Sequence, residues 1–411
     1  MDAALSPASP EEVLAAVRWA LAGCSPLEVV GHGSKRGIGR RVEAAATLDL
    51  SRLTGVTLYE PEELVLSARA GTPLAEVEAL LAEHGQELAF EPMDFGPLSG
   101  GVAGRGTIGG VLAANVSGPR RLKAGAARDH VLGVAAVSGR GEAFKSGGRV
   151  VKNVTGYDLS KGLAGSWGTL AVVTDVTFKV LPKAETEATL VLPGLSDLQA
   201  AAAMALALGS SAEVSGAAHL PENIAPRVLD GALAGAAATL LRLEGVAPSV
   251  AYRLGGLTAA LSAASDHRHL SPPQSRRLWR ELRDCLPFAD GTERPVWRVS
   301  VAPTAGPPLV DLLRREAAVD AFYDWQGGLV WLRMDDDPAA EALRRLIRAA
   351  GGGHATLVRA AAQWRAAVPA FEPQPAALAA LSARLKEQFD PQGILNPGRM
   401  AAAASADGAS A

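Results

Sequence analysis

A glycine-rich stretch, residues 96–118, contains the residue types best suited to hold a charged ligand. Eight of its 23 residues are glycine, so backbone N–H groups can approach a ligand without a Cβ in the way. Thr107 is the expected N-cap of a short apolar helix whose first turn holds Gly109 and Gly110. A helix start carries unpaired N–H groups and a positive dipole end, which favour phosphate. The stretch therefore predicts one wall of a nucleotide diphosphate site.

A second glycine turn follows a predicted strand at Leu27–Val30 and carries two cations. Taken alone, it is equally consistent with a solvated basic turn. Two such loops in one chain favour a pair that faces each other across one pyrophosphate. The residues that this turn contributes to the predicted site are Gly31, His32, Gly33, Ser34, Lys35 and Gly37.

One alternative for the first loop is a dinucleotide-binding fingerprint, since Gly104, Gly106 and Gly109 have its spacing. That fingerprint requires a strand directly before it and an acidic residue at the end of the next strand. Here a Pro/Gly loop precedes it, and Asp129 comes before the apolar run instead. A Rossmann site is therefore disfavoured, and a structural glycine loop without a ligand is the remaining alternative.

Composition limits the classes of function. A chain of 411 residues with 48% hydrophobic content can form two domains. A net charge of −3 and a pI near 6.2 disfavour nucleic acid as a partner. The longest apolar run has nine residues, too few to cross a bilayer, and the N-terminus lacks the pattern of a secretory signal.

The metal-ligating residues are sparse. Cys24 and Cys285 are the only cysteines, which suits a reducing compartment and cannot supply the four ligands of an iron–sulfur cluster. The histidines are scattered, so we expect no metal site. A cytoplasmic location, at most at the inner face of the membrane, is the resulting expectation.

Hydrophobic periodicity and capping signals predict an α+β fold. A capping box predicts a helix over Pro10–Ala22, and strands in the first part are joined mostly as hairpins. The second part alternates strands and helices as in an antiparallel sheet with helices on one face. Its tryptophans, each a core residue or an anchor for a protein interface, are Trp279, Trp297, Trp325 and Trp331.

Five ordered segments resemble the FAD-binding domain of the vanillyl-alcohol oxidase / p-cresol methylhydroxylase (PCMH-type) family. They are residues 31–34, residues 107–110 with Asn115 and Gly118, residues 149–158, residues 165–170 and residues 389–399. The resemblance implies a PCMH-type FAD-binding domain at 1–183, an α+β cap domain at 184–372, a returning segment at 373–400 and a disordered tail at 401–411.

The resemblance also implies that FAD lies with its pyrophosphate between the two glycine loops. Its adenosine end would lie beside the strand after Gly168, near Val172 and Val173, and Asn115 belongs to the motif that starts at Thr107. Ser34 stands where family members with a histidyl-flavin bond have the histidine, so we expect FAD to be non-covalent.

Two further segments, residues 322–331 and 351–359, resemble the FAD-binding subunits of bacterial glycolate oxidases. This implies oxidation of a small 2-hydroxy acid, glycolate to glyoxylate, with a sister FAD subunit and an iron–sulfur subunit as partners. Any membrane association would be peripheral, through those partners. Catalytic relatives carry a His-x-Gly-Asp-Gly-Asn motif, whereas this chain has only His354 in Gly-His-Ala-Thr.

The catalytic residues are therefore left unassigned, and the candidates for holding a carboxylate or taking a proton are Arg298, Arg333, Arg359 and His354. Each of them is more readily explained as structural. Two other functions stay open: a self-sufficient FAD-dependent oxidase of another alcohol or hydroxy acid, and a non-catalytic scaffold that retains the FAD fold.

Overall fold

A computed structural model describes residues 3–149, 156–264 and 266–401. Most of the motif at 149–158 and nearly all of the tail predicted to be disordered lie outside these ranges.

Within these described ranges, eighteen strands build the sheets: β1 (Ala3–Leu5), β2 (Leu27–Val30), β3 (Ala46–Asp49), β4 (Val56–Glu60), β5 (Val65–Arg69), β6 (Gln86–Glu87), β7 (Val131–Ser138), β8 (Ala143–Gly147), β9 (Ala171–Lys179), β10 (Leu181–Pro182), β11 (Thr186–Pro193), β12 (Gly216–Leu220), β13 (Ala238–Gly245), β14 (Arg268–Leu270), β15 (Val296–Ser300), β16 (Val319–Asp324), β17 (Leu329–Met334) and β18 (His354–Arg359).

Thirteen α-helices accompany them: α1 (Pro10–Ala22), α2 (Leu74–Glu83), α3 (Ile108–Ala114), α4 (Arg121–Ala124), α5 (Ala127–His130), α6 (Leu159–Leu163), α7 (Asp197–Leu208), α8 (Ala247–Leu261), α9 (Pro272–Arg283), α10 (Gly306–Arg314), α11 (Ala340–Ala349), α12 (Ala362–Ala367) and α13 (Ala376–Phe389).

The first half contains two main sheets. A three-stranded parallel sheet has the order β1-β3-β2, and a five-stranded antiparallel sheet has the order β4-β5-β9-β7-β8. The predicted helix α1 is confirmed, with the Ser9 side chain accepting a hydrogen bond from the Glu12 N–H at 3.2 Å. The apolar faces of α2 and α3 pack with the five-stranded sheet in one core.

The second half is built on an eight-stranded sheet in the order β14-β11-β13-β12-β16-β17-β15-β18. Neighbouring strands of this sheet pair antiparallel, as predicted. The consecutive strands β16 and β17 form a hairpin, whereas the connections that contain α-helices join strands that are not neighbours in the sheet. The fold class is therefore confirmed as α+β. The sequence analysis did not identify β12 or the strongly amphipathic helix α9, whose Leu278 and Leu282 are buried.

The four tryptophans singled out in this half are core residues, which removes them as anchors for an external partner. Trp279, Trp297, Trp325 and Trp331 are between 0% and 7% exposed. The first three indole N–H groups donate to Thr189 Oγ1, the Pro338 carbonyl and the Gly118 carbonyl. A buried indole requires such an acceptor.

The C-terminal segment returns to the first half. The Leu27 N–H donates to the Ile394 carbonyl at 2.7 Å, and the Asn396 N–H donates to the Leu27 carbonyl at 2.9 Å. The segment thereby extends the edge of β2 directly before the glycine turn. The proposed domain boundaries stay a prediction.

Buried ion pairs hold the cap sheet against the first half. Arg242 on β13 donates to both carboxylate oxygens of Glu91, at 2.7 and 3.0 Å. Arg120 donates to Glu244 on β13 at 2.7 Å, and its backbone N–H donates to Glu91 at 2.6 Å. Since the Arg242 side chain is 2% exposed, neither charge of its pair with Glu91 can be solvated if the other is lost.

Candidate functional site

The two glycine loops face each other across an open cleft, which we call the cofactor cleft. Gly31 packs against the start of α3 so closely that a Cβ there would lie 2.7 Å from Thr107 Oγ1. The cavity within the cleft has a volume of about 110 Å³, and the remaining space between the loops is open to solvent. The arrangement of facing loops on which the FAD prediction depends is therefore present.

Most of the predicted site residues line the cofactor cleft: Gly31, His32, Gly33, Ser34, Lys35, Thr107, Gly109, Gly110, Gly168 and Val173. Three do not. Val172 points to the opposite face of β9 and is fully buried against α1 and β2, because neighbouring strand residues alternate in direction. Gly37 lies outside the cleft, and Asn115 lines a neighbouring cavity.

The start of α3 differs from the sequence-based expectation. The Ile108 and Gly109 N–H groups donate to the Thr72 and Ala70 carbonyls at 3.0 and 2.9 Å, and the Gly110 N–H donates to Thr107 Oγ1 at 3.2 Å. These amides are therefore satisfied by the protein, and the expectation that they are unpaired was wrong. The helix start contributes its dipole and a close approach of backbone.

The free donors come from the turn after β2. Among the described residues, the N–H groups of His32, Gly33, Ser34 and Lys35 have no acceptor. His32 Nδ1 is likewise buried without a partner. Successive unpaired amides of this kind form a concave anion site. The pyrophosphate of FAD therefore fits this turn, and it would satisfy donors that the fold leaves open.

Lys35 adds an uncompensated positive charge to the same turn. It forms no ion pair with any residue in the described ranges, and its Nζ lies 5.3 Å from the centre of the Phe95 ring. Burial lowers the pKa of Lys35 to about 8, although Asp94 opposes this shift. A bound phosphate would restore the protonated form, since an opposite charge favours it.

The cleft is completed by residues that the sequence analysis matched to a motif without assigning them to the site. Asn396 accepts a hydrogen bond from the Val29 N–H and donates to the Trp167 carbonyl, both at 2.8 Å. Arg399 donates to the Lys35 carbonyl at 2.9 Å. Both side chains tie the C-terminal segment to the loops that line the cleft. The sequence feature that could have assigned both residues to the site is the segment 396–399, Asn-Pro-Gly-Arg, within the C-terminal motif.

A second cavity, which we call the inter-domain cavity, adjoins the cofactor cleft and shares Ala114 and Trp167 with it. It has an empty volume of about 1010 Å³ and lies between the first half and the face of the eight-stranded sheet. Cavities between domains are common ligand sites. Its polar lining residues are Asn115, Arg121, Arg298, Ser300, His354 and Thr356.

Strand pairing explains why these polar side chains share one face. Arg298 on β15 pairs with Thr356 on β18, and Ser300 pairs with His354. Paired residues point to the same side of a sheet. The intervening Trp297 and Val299 are buried on the other side.

The other two candidate arginines are occupied within the cap domain. Arg333 binds Asp290 and Asp320. Arg359 donates to the Phe288 carbonyl at 2.7 Å and forms an ion pair with Asp290 at 3.2 Å. Both are structural, which leaves Arg298 and His354 at the cavity.

In the described ranges no three His, Cys, Asp or Glu side chains form a group that could hold a metal ion. Burial and the Arg298 charge lower the pKa of His354, so its imidazole is neutral near pH 7. Cys24 and Cys285 are both free. Within the same ranges no helix has the length and apolarity to span a bilayer.

Comparison with known proteins agrees with this geometry. Residues 1–147 match the family described as FAD binding domain. Over 396 residues, 95% of this chain and 97% of the relative, the chain is 35% identical to glycolate oxidase subunit GlcE of Escherichia coli (strain K12). The chain belongs to the GlcE family.

Other relatives place this GlcE-family chain among flavoproteins of one fold. It is 45% identical to glycolate oxidase subunit GlcD of Bacillus subtilis (strain 168) over 84 residues, which are 20% of this chain and 18% of that protein. A crystal structure of p-cresol methylhydroxylase with substrate bound superposes with a TM-score of 0.71 at 14% identity, covering 97% of this chain and 88% of that one. The PCMH-type fold and the FAD-binding domain are thus confirmed.

We expect Lys35 to make FAD binding by this GlcE-family chain pH dependent. Below pH 8 the lysine of the free protein is protonated and meets the pyrophosphate as a cation. Above pH 8 it is neutral, so binding must take up a proton and the affinity falls by up to about tenfold per pH unit. We expect Lys35→Met to bind FAD more weakly at pH 7 and to lose this dependence.

Fluorescence titration of the apoprotein with FAD between pH 7 and 9.5 measures the effect. Lys35→Arg is the matched control, because its guanidinium keeps its charge over this range. It should bind FAD without the fall in affinity above pH 8. The same fall in all three proteins would contradict the assignment of Lys35.

Proposed function

We propose that this chain is the FAD-binding subunit of a glycolate oxidase or dehydrogenase, which oxidises glycolate to glyoxylate and passes electrons through its flavin to an iron–sulfur partner. The supporting observation is that the cofactor cleft opens into a cavity lined by cations, with no Asp or Glu among its lining residues. An anionic substrate would there adjoin the flavin. Membership of the GlcE family supports the substrate class.

FAD, when bound, supplies the acceptor for the two electrons and the hydrogen that leave the substrate carbon. The turn at Gly31–Lys35 holds its pyrophosphate, and Asn396 with Arg399 keeps that turn in place. Of the cofactor-binding residues proposed from the sequence, we keep those that line the cofactor cleft and leave out Gly37, Asn115 and the Val172 side chain.

His354 is the one neutral base among the residues that line the inter-domain cavity. Oxidation of a hydroxyl group requires a base for the hydroxyl proton. A histidine whose pKa lies below its ordinary value is unprotonated at neutral pH and can accept that proton. We assign this role to His354.

The decisive experiment is to purify the chain alone and together with its co-expressed partner subunits, and to add glycolate without oxygen. Bleaching of the flavin absorbance in the complex, with little in the isolated chain, supports the proposal. Rapid bleaching in the isolated chain would instead favour a self-sufficient enzyme. A chain that carries no flavin would favour the scaffold and overturn the proposal.

Helix α13 is the surface that we propose contacts a partner subunit. None of its residues is buried, and Leu378, Leu381 and Leu385 form one apolar stripe with exposures of 47%, 54% and 43%. A lone helix of this length is marginal in water. Its end is anchored by Lys386, which donates to the Thr169 carbonyl at 2.6 Å.

The stripe suits an apolar groove on the sister FAD subunit, in which an amphipathic helix is bound along one face. Relatives named as glycolate oxidase subunits support a partner of this kind. The finer composition of the complex, a cytoplasmic location and peripheral association with the membrane through partners stay predictions.

Leu381→Glu should abolish co-elution with the sister subunit, because it places a charge in an apolar interface. FAD content and melting temperature should not change, since Leu381 has no buried contacts to lose. Size-exclusion chromatography of the co-expressed subunits measures this. The control is Ala383→Glu, which places the same charge on the opposite face of α13 and should still co-elute with the sister subunit. If co-elution is lost in both variants, or in neither, the apolar stripe is not the contact surface.

A further inference from the structure

The inter-domain cavity contains two arginines that no carboxylate neutralises. The Arg298 and Arg121 guanidinium carbons lie 4.8 and 4.9 Å from the centre of the Trp325 ring. Neither forms a salt bridge with any residue that the structure describes. Arg298 Nε is moreover buried without a hydrogen-bond partner. A donor left open in this way is costly unless a ligand satisfies it.

The fold maintains this arrangement at the expense of backbone strain. Trp325 and Gln326 have φ values of 50° and 62°, in the left-handed region that non-glycine residues seldom adopt. The Trp325 indole N–H is fixed by the Gly118 carbonyl at 3.0 Å. Strain of this kind concentrates at functional sites, and here it holds one ring beside both guanidinium groups.

Without a bound anion, the surroundings of Arg298 and Arg121 disfavour their positive charges. Burial and the Arg121 charge lower the pKa of Arg298 to about 10, against the effect of Asp324. Burial also raises the pKa of Asp324 to about 7, so near neutral pH this group carries only part of a negative charge. It accepts a hydrogen bond from the Trp325 N–H at 2.7 Å, which fixes it in the turn. An incoming anion would therefore relieve repulsion between the two arginines.

We propose that Arg298 and Arg121, positioned by Trp325, bind the carboxylate of a short 2-hydroxy acid in the inter-domain cavity. The inference rests on the proposed function for the identity of the acid, whereas the anion site itself rests on the geometry above. Planar guanidinium groups match a carboxylate by paired N–H donors. Within the described residues no three His, Cys, Asp or Glu side chains form a group that could hold a metal ion for this purpose.

If this anion site is correct, this subunit binds the substrate directly, and substrate binding is not confined to a sister subunit. Ser300 and Thr356 lie on the same sheet face as Arg298 and offer hydroxyl groups to the 2-hydroxyl. Because the arginines carry the charge recognition, the amide of the same acid should bind far less tightly.

Calorimetric titration of the purified FAD-loaded chain with oxalate tests the proposal without turnover. Oxalate is a two-carbon acid with no C–H bond to oxidise. We expect Arg298→Gln and Arg121→Gln each to weaken binding about tenfold or more, as loss of a charge-assisted hydrogen bond implies. Arg315→Gln, at an exposed ion pair remote from the cavity, should bind oxalate as the parent protein does.

Arg121 is exposed, so its variant should fold even if Arg298→Gln does not. Flavin content and melting temperature identify a variant that is merely misfolded. Unchanged oxalate affinity in a folded Arg121→Gln protein would overturn the anion site. The anion site and the proposed function can fail separately. If oxalate binding depends on both arginines but glycolate does not reduce the flavin in the complex, the anion site is supported and the proposed function is refuted.

Discussion

Gly109→Asp is expected to yield a protein without FAD. A Cβ at residue 109 would lie 2.7 Å from the Ala70 Cβ and 2.9 Å from the Ala70 carbonyl oxygen. These atoms belong to the backbone and Cβ at a strand end, so they cannot move aside as a flexible side chain would. The carboxylate would also stand in the cofactor cleft, where the pyrophosphate carries like charge. Steric and electrostatic effects therefore act together.

The ratio of flavin absorbance to protein absorbance after purification measures the result. Gly109→Ala separates the two causes, because it retains the steric conflict without the charge and should lose only part of the flavin. Gly37→Ala is the matched control in the opposite loop, since a Cβ there has no neighbour within 4 Å. A fully yellow Gly109→Asp protein would contradict the placement of the pyrophosphate.

Arg242→Met should produce the largest loss of stability among single substitutions at the junction of the two halves. The substitution leaves Glu91, whose side chain is 13% exposed, without its bidentate partner. Breaking a buried ion pair by removing one member costs about 3–5 kcal/mol of unfolding free energy. Urea denaturation followed by fluorescence measures the change.

The comparison variant is Arg315→Met, which breaks a pair with Asp311 at 2.6 Å whose side chains are 69% and 66% exposed. An exposed pair of this kind contributes at most about 0.5 kcal/mol. If the two variants lose the same stability, the junction does not depend on the buried network.

The same network predicts how stability falls in acid. Burial raises the pKa of Glu91, but the Arg242 and Arg120 charges outweigh this and hold it at about 2, below the ordinary value of 4.5. A depressed pKa gives stability above pH 4.5 that is lost as the pH falls toward 2. In Glu91→Gln this part of the acid sensitivity should be absent.

Local signals predicted the parts of this protein whose hydrogen bonds close within a few residues. Helix α1 begins where the Ser9 cap indicated, since Ser9 and Glu12 are close in sequence. Both glycine loops were located for the same reason, because φ freedom and the lack of a Cβ are properties of single residues.

Contacts between distant segments could not be predicted in that way. The amides of Ile108 and Gly109 belong to helix α3, yet carbonyls near residue 70 satisfy them. Asn396 and Arg399 reach the cofactor cleft only because the C-terminal segment returns to β2. Sequence also could not distinguish Arg298 from Arg333 and Arg359, because the carboxylates that neutralise the latter two lie on other elements.

The order of motifs and the spacing of glycines, caps and apolar residues by themselves determined the fold class, the FAD-binding family and the two loops that approach the pyrophosphate. Tertiary structure alone decided which donors and cations remain unpaired, since that depends on every partner the folded chain brings within hydrogen-bond distance. Among the described residues around the two cavities, the donors and cations left without a partner include those at residues 32–35, 121 and 298, which are available to a cofactor and a substrate.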